Sequence, residues 1–213
     1  MTTIVGRDCK IEVALTFDTA INPTAVSKAN PGAATLTGHA VETGDVGYWT
    51  VTAGMVELDE QAVYCTDTDA NTFTMNGLDT TNYSTYSAGS LTLAATWGTL
   101  SEAAGYTVGG GAAATLDDTR LIDVKTRNIA GLLAPQDVTI DIRNPMTSGT
   151  ALAFLENKAV NSAKVLIRIS KGGTTLRVLY GQPSLAGEGV QAGGLASGQI
   201  SITVPGWVVK PNV

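Results

Sequence analysis

The sequence predicts an all-β fold: a sandwich or barrel with one short flanking α-helix, plus an inserted small β module. Three observations predict it. The 213 residues include 24 glycines and 7 prolines but only 6% aromatics, and turn residues recur about every eight positions, the spacing of short strands. The clearest apolar runs alternate with period two, so side chains point to opposite faces of a strand. The basic residues are absent from one long stretch, which sets off a module within the chain.

Cys9 to Phe17 opens the pattern, with Ile11, Val13, Leu15 and Phe17 on one face and Lys10, Glu12, Ala14 and Thr16 on the other. Asn22-Pro23 and Asn30-Pro31-Gly32 then mark a loop. Short strands are expected around Tyr48 to Val51, Met55 to Leu58, Ala62 to Cys65 and Thr72 to Met75, with Leu91, Leu93 and Ala95 closing the series. Gly105 to Ala114, which holds Gly109-Gly110-Gly111, reads as a linker too poor in apolar bulk to order itself. Beyond it the sequence predicts a strand at Leu121 to Lys125, a turn region at Ala130 to Gln136 and a strand at Val138 to Ile142. Thr147 or Ser148 is a candidate cap for a helix reaching about Lys158, with Leu152, Leu155 and Ala159 as its apolar stripe. Lys164 to Tyr180 is a hairpin turning at Gly172-Gly173, where two glycines supply positive φ. Gln199 to Val204 is the closing strand, ended by Pro205-Gly206.

Charge draws the domain boundary. No Lys or Arg lies between Lys28 and Arg120. Residues 36–96 carry Glu42, Asp45, Glu57, Asp59, Glu60, Asp67, Asp69 and Asp79 within a chain of net charge −6. The division is therefore a core of residues 1–35 and 97–213 with an acidic module at 36–96, a same-sign surface kept in solvent.

Residues with catalytic or ligand-binding potential do not assemble into a set. His39 is the single histidine, so neither a Ser/His/Asp set nor a multi-histidine metal site forms readily, and it reads as structural. Asp67, Asp69 and Asn71 imitate a calcium loop, yet Thr72 stands where glycine is needed and Leu78 where glutamate is needed. Asp123, Asp137 and Asp141 alternate with apolar residues as solvent-facing strand positions do. Gly187, Gly189 and Ala192 make a GxGxxA pattern with no βαβ unit around it. Cys9 and Cys65 lack the spacing of zinc or redox motifs and are expected as free, buried thiols, a Cys9 to Cys65 disulfide being the alternative. Lys158, Lys164, Arg168, Lys171 and Arg177 make the hairpin region basic, suited to phosphate or to a neighbour's acids. No catalytic, cofactor-binding or metal-binding residue is assigned, and no enzyme is expected. Charges at Arg7, Asp8, Lys10 and Glu12 interrupt any signal-peptide core, so cytosolic synthesis is expected.

Two stretches carry a resemblance. RLIDVKTRNIAGLLAPQDVTIDIRNP, then the helix, the GG hairpin and LYGQPSLAGEGVQAGGLASGQISITVPGWVV, resemble in order and texture the major tail tube proteins of siphophages. The stretch SKANPGAATLTGHAVETGD with NTFTMNGLDTTNYSTY resembles a small β module inserted in phage structural proteins. The resemblance implies a virion protein whose copies form hexameric rings stacked into a helical tube. Its partners would be itself, the tail terminator, tape measure and baseplate or tail tip proteins. Genomic DNA would pass through the lumen during ejection without specific binding, and no membrane would be involved. The alternative is another phage structural protein, a decoration or adhesin-like module binding a capsid, tail or host surface.

Overall fold

The computed structural model describes residues 9–117, 125, 128–143, 150–189 and 197–211. Fourteen strands and one α-helix are described, and the fold is all-β with a single flanking helix. The strands are β1 (Cys9–Phe17), β2 (Ala25–Val26), β3 (Gly32–Thr35), β4 (Val46–Ala53), β5 (Ala62–Asp69), β6 (Thr72–Asn76), β7 (Ala88–Thr99) and β8 (Ala103–Gly110). After them come β9 (Ala113–Asp117), β10 (Asn128–Leu133), β11 (Gln136–Arg143), α1 (Thr150–Val160), β12 (Val165–Lys171), β13 (Thr174–Gly189) and β14 (Ser197–Val204). Twelve strands form one continuous antiparallel sheet in the order β2-β3-β6-β5-β4-β7-β1-β12-β13-β14-β11-β8, while β9 and β10 pair only with each other.

Two long strands join three sections of this sheet. The first half of β7 pairs with β4 and its second half with β1. Likewise β13 pairs with β12 up to Gly181 and with β14 from Gln182 onward. The inward residues of β1, β12 and β13 (Ile11, Val13, Val165, Ile167, Ile169, Leu179) share one core with those of β11 and β14 (Val138, Ile140, Ile142, Ile200, Ile202, Val204). The sheet thus folds back on itself as a sandwich. Helix α1 adds Ala151, Leu152 and Leu155 to the same core, and Ala159 is only half-buried.

A second core lies among β2 to β7, around Trp49, Met55, Leu58, Phe73, Met75 and Leu91. Strands β2 and β3, which precede residue 36, are part of it, because β3 pairs with β6 along Gly32 to Thr35. A third cluster lies where the two meet: Ala14, Leu166 and Val178 touch Val46, Ala62 and Tyr64, and Tyr48 stacks on Tyr180 with centroids 4.1 Å apart. Burial raises the Tyr180 hydroxyl pKa, with Tyr48 and Glu60 adding to the shift. β1 consequently has two covered faces. Ile11 and Val13 face the sandwich, Ala14 faces the junction, Leu15 is half-buried, and Phe17 is 37% exposed with its edge toward Tyr48.

The segment after β14 locks this junction. Fully buried Gln61 donates from Nε2 to the Trp207 carbonyl (2.9 Å) and accepts the Trp207 N–H at Oε1 (2.8 Å). Val209 exchanges both backbone hydrogen bonds with Val178 of β13. Gly77, at φ +80°, lies so close that a Cβ there would stand 2.4 Å from the Lys210 carbonyl oxygen.

Several expectations change. Met55 to Leu58 is a 3-10 turn over Val56–Leu58, because the Leu58 N–H reaches back to the Met55 carbonyl (3.1 Å). Its spacing buries Met55 and Leu58 and leaves Val56 65% exposed. The glycine-rich segment from Gly105 is not a linker; through Gly110 it is β8, paired residue for residue with β11. Order there comes from the backbone ladder, which needs no side chains. Within the expected turn region, Asn128–Leu133 is strand β10. The Leu121 to Lys125 strand and the Thr147 or Ser148 cap lie outside the described residues, except Lys125, which sits in a bend. Both cysteines are free: Cys65 is buried and its pKa is raised, first by burial and then by Asp45, while Cys9 is half-buried.

Gln61→Ala is expected to destabilise the fold by about 1–2 kcal/mol, since the Trp207 N–H and C=O lose their partners in a part-buried setting. A thermal melt checks it: a fall of about 2–4 °C per kcal/mol is the expected scale for a chain of this size.

Candidate assembly surface

Backbone pairing defines this surface. β8, β11, β14 and the second half of β13 form a four-stranded section with both borders open among the described residues. β8 has β11 on one side only. From Gln182 to Gly189, β13 has β14 on one side and no strand on the other. Unpaired ladder groups are templates for another strand, and proteins usually blunt them with lysine, proline, bulges or extreme shortness. The two-residue β2, at the far end of the sheet, is blunted by its length. β8 spans eight residues, AAGYTVGG, without a charge or a proline.

At the end of β8 the chain turns sharply into the β9–β10 pair and returns to β11 through Ala134-Pro135. Gly110 makes this turn, with φ +78° and a backbone approach that would put a Cβ 2.5 Å from the Pro135 carbonyl oxygen. Only glycine fits there.

The outward face of the section is small, polar and nearly free of cations. Cross-strand partners place Gly109, Asp137, Thr203 and Gln182 in one row, and Thr107, Thr139, Ser201 and Ser184 in the next. Gly105, Asp141 and Gln199 follow in a third. Thr203 Oγ1 donates to Asp137 Oδ1 (2.9 Å), and Gln199 Nε2 donates to Asp141 Oδ1 (2.8 Å). Both carboxylates are exposed and are held by neighbours on the adjacent strand. Arg143, at the end of β11, is the one cation in these rows among the described residues.

The basic residues of the hairpin region lie elsewhere, and most are held by neighbours within the chain. Arg168 Nε donates to Glu12 Oε2 (2.7 Å) while its guanidinium lies over the Trp97 ring, 4.2 Å from the centroid. Lys164 pairs with Glu60, and Lys158 lies over Phe154. Arg177 donates to its neighbour's carbonyl at Leu176 (3.1 Å).

The other singled-out residues take structural places. His39 packs edge-on against Phe73 and accepts the Val41 N–H at Nδ1. Asp67 and Asp69 end β5, and Asp69 accepts the Asn71 N–H (2.8 Å) in the turn to β6. Gly187 and Gly189 lie in β13 rather than before a helix. Asp123 and Ala192 are outside the described residues. Among the described residues no group of three or more His, Cys, Asp or Glu is arranged to hold a metal, and no helix is long and apolar enough to cross a membrane. Sequence reading set Asp137 and Asp141 on a solvent-facing side but not beside Thr203 and Gln199, and it did not identify β8 and β13 as the open borders; the strict alternation in β11 and β14 was the available signal for the shared face.

These features define a β-sheet structural protein whose most distinctive surface is a sheet section with open borders. The chain belongs to the phage tail tube protein family, whose model matches residues 53–180, more than half of its length. The match runs from the end of β4 through the second core into β13. It makes the protein a structural component of the virion tail. Among curated proteins none matches the chain.

Arg168→Ala removes both a half-buried ion pair and a guanidinium stacked on Trp97. The expected loss is about 1–2 kcal/mol, because Glu12 is left in a poorly solvated site without its partner. Urea denaturation of the purified variant measures it.

Proposed function

We propose that the protein is the major tail tube subunit of a siphophage, forming hexameric rings that stack into a helical tube through which the genome is ejected. The observation that carries this reading is the four-stranded section with two open borders. A heterologous contact between β8 of one copy and Gln182–Gly189 of the next repeats head to tail, and such a contact closes into a ring when the rotation allows. Closure removes every exposed ladder in the section. Six copies would place about 24 strands around the axis, beyond the roughly 16–18 at which β-barrels already enclose an aqueous channel.

Chemistry of the outward face fits a conduit. A carboxylate about 10 Å from a phosphate in water repels it by only ~0.4 kcal/mol before screening, so repulsion is a minor effect. Each Lys or Arg in contact with phosphate, by contrast, releases counterions and adds affinity. A bore lined by Asp137, Thr139, Asp141, Gln199, Ser201 and Thr203 lets DNA slide because it offers few matched cations. The acidic module drawn at residues 36–96, together with β2 and β3, covers the far face of the sandwich and would project outward, where like charge keeps tubes from bundling. A tube of this kind is capped and seeded by the tail terminator, tape measure and tail tip proteins.

Negative-stain microscopy of the purified protein should show rings or long hollow tubes, and Thr107→Lys with Ala104→Lys should leave a folded monomer that forms neither. A wild-type protein that stays monomeric or trimeric instead favours a decoration or adhesin-like role. Thr139→Lys with Asp141→Lys should still assemble, yet retain double-stranded DNA in a salt-sensitive manner that wild-type tubes lack; filter binding across a salt series reads this.

A further inference from the structure

The face of β1, β12 and β13 that points away from the sandwich core is graded. Cross-strand partners set its rows. Ala14 with Trp97 stands in the junction covered by the second core, together with Leu166 and Tyr180. The next row is Thr99, Glu12, Arg168 and Val178, centred on the Arg168–Glu12 pair. The last is Lys10, Ser170 and Thr175, beside the Gly172-Gly173 turn. Here the second core no longer covers the sheet, and a recess of about 240 Å³ opens, lined by Lys10, Glu12, Arg168, Ser170, Gly173 and Thr175.

The groups in this recess are mostly donors. Ser170 and Thr175 are 8% exposed, yet their hydroxyls have no hydrogen-bond partner among the described residues. Lys10 is exposed and forms no ion pair among them. Among the described residues lining the recess, Glu12 is the only carboxylate, and Arg168 already holds it. One ammonium, two hydroxyls and the remaining edge of a guanidinium therefore converge with a net charge of +1. Both hydroxyls still reach the solvent of the recess, so a carboxylate entering it would replace water as their acceptor.

We infer that this recess is a docking site for a carboxylate side chain of a second copy of the chain, which joins subunits by charge-assisted hydrogen bonds to Lys10, Ser170 and Thr175. Charge complementarity selects the occupant. Residues 36–96 of every copy bear eight carboxylates and no Lys or Arg, so a neighbouring copy presents acids at high local concentration. Position excludes DNA in the bore as the occupant, because the recess lies on the face opposite the Asp137 and Asp141 rows. The inference rests on the tail tube reading and adds to it a second contact, separate from strand pairing at β8.

The test measures the critical concentration for assembly across a salt series, for wild type, Lys10→Gln and the double variant Ser170→Ala with Thr175→Ala. Both variants should melt as wild type does. Lys10→Gln should raise the critical concentration about tenfold at low salt and flatten its salt dependence, and the double variant should raise it several-fold. Unchanged critical concentrations in variants of a wild type that does form tubes would overturn this inference alone. A wild type that forms no rings or tubes would overturn the tail tube reading as well. Variants that assemble normally but lose affinity for DNA fragments would overturn it in favour of phosphate binding.

Discussion

Every backbone N–H and C=O in a sheet needs a partner, and the most consequential feature of this protein is where that requirement stays unmet. Long strands carry the sheet through two changes of neighbour, at the middle of β7 and at Gly181 of β13. Each change lets one strand serve two sections. Among the described residues, the change at β13 also leaves Gln182–Gly189 with an open side, and β8 leaves the opposite border open. The β8 border, AAGYTVGG, has no charge or proline to obstruct pairing, whereas the β13 border carries Pro183 and Glu188. The tail tube family membership and the two borders point the same way.

The rest of the architecture holds this section rigid. Behind it lies the dense aliphatic core shared with β1, β12 and α1. Behind that, the second core is fused to the sandwich through β7, the Tyr48–Tyr180 stack, the Lys164–Glu60 pair and the grip of Gln61 on Trp207. A subunit that must repeat with one geometry many times benefits from such bracing, since any looseness would accumulate along a polymer. The family match starts at residue 53, inside the acidic region, and runs through to Tyr180 in the hairpin. Val46, Ala62 and Tyr64 of the acidic region pack against Ala14, Leu166 and Val178 of the sandwich.

Polar chemistry is divided between the two faces of the sandwich. One bears carboxylates held by hydroxyl and amide neighbours, with a single arginine at its end. The other carries the Arg168–Glu12 pair over Trp97 and the ammonium-and-hydroxyl row around Lys10. No side-chain set for catalysis is needed to explain either face.

Local pattern alone determined much of this protein. Alternation gave β1, β11, β12 and β14, with inward residues right for β11 but only Ile11 and Val13 right in β1; Gly172-Gly173 placed a hairpin, and the missing Lys and Arg between Lys28 and Arg120 marked the acidic region. Side-chain periodicity and turn chemistry are written in neighbouring residues, so one sequence suffices to read them. Tertiary structure decided the rest. Gly105 to Gly110 has no apolar rhythm and becomes a strand only because β11 offers it a ladder; Met55 to Leu58 has strand-like residues but closes as a 3-10 turn over the second core. The alignment of Asp137 with Thr203, or of Lys10 with Ser170 and Thr175, joins residues far apart in the chain. Such pairings depend on which backbones meet and in what register, and that is settled by the packing of the whole sheet rather than by any one segment.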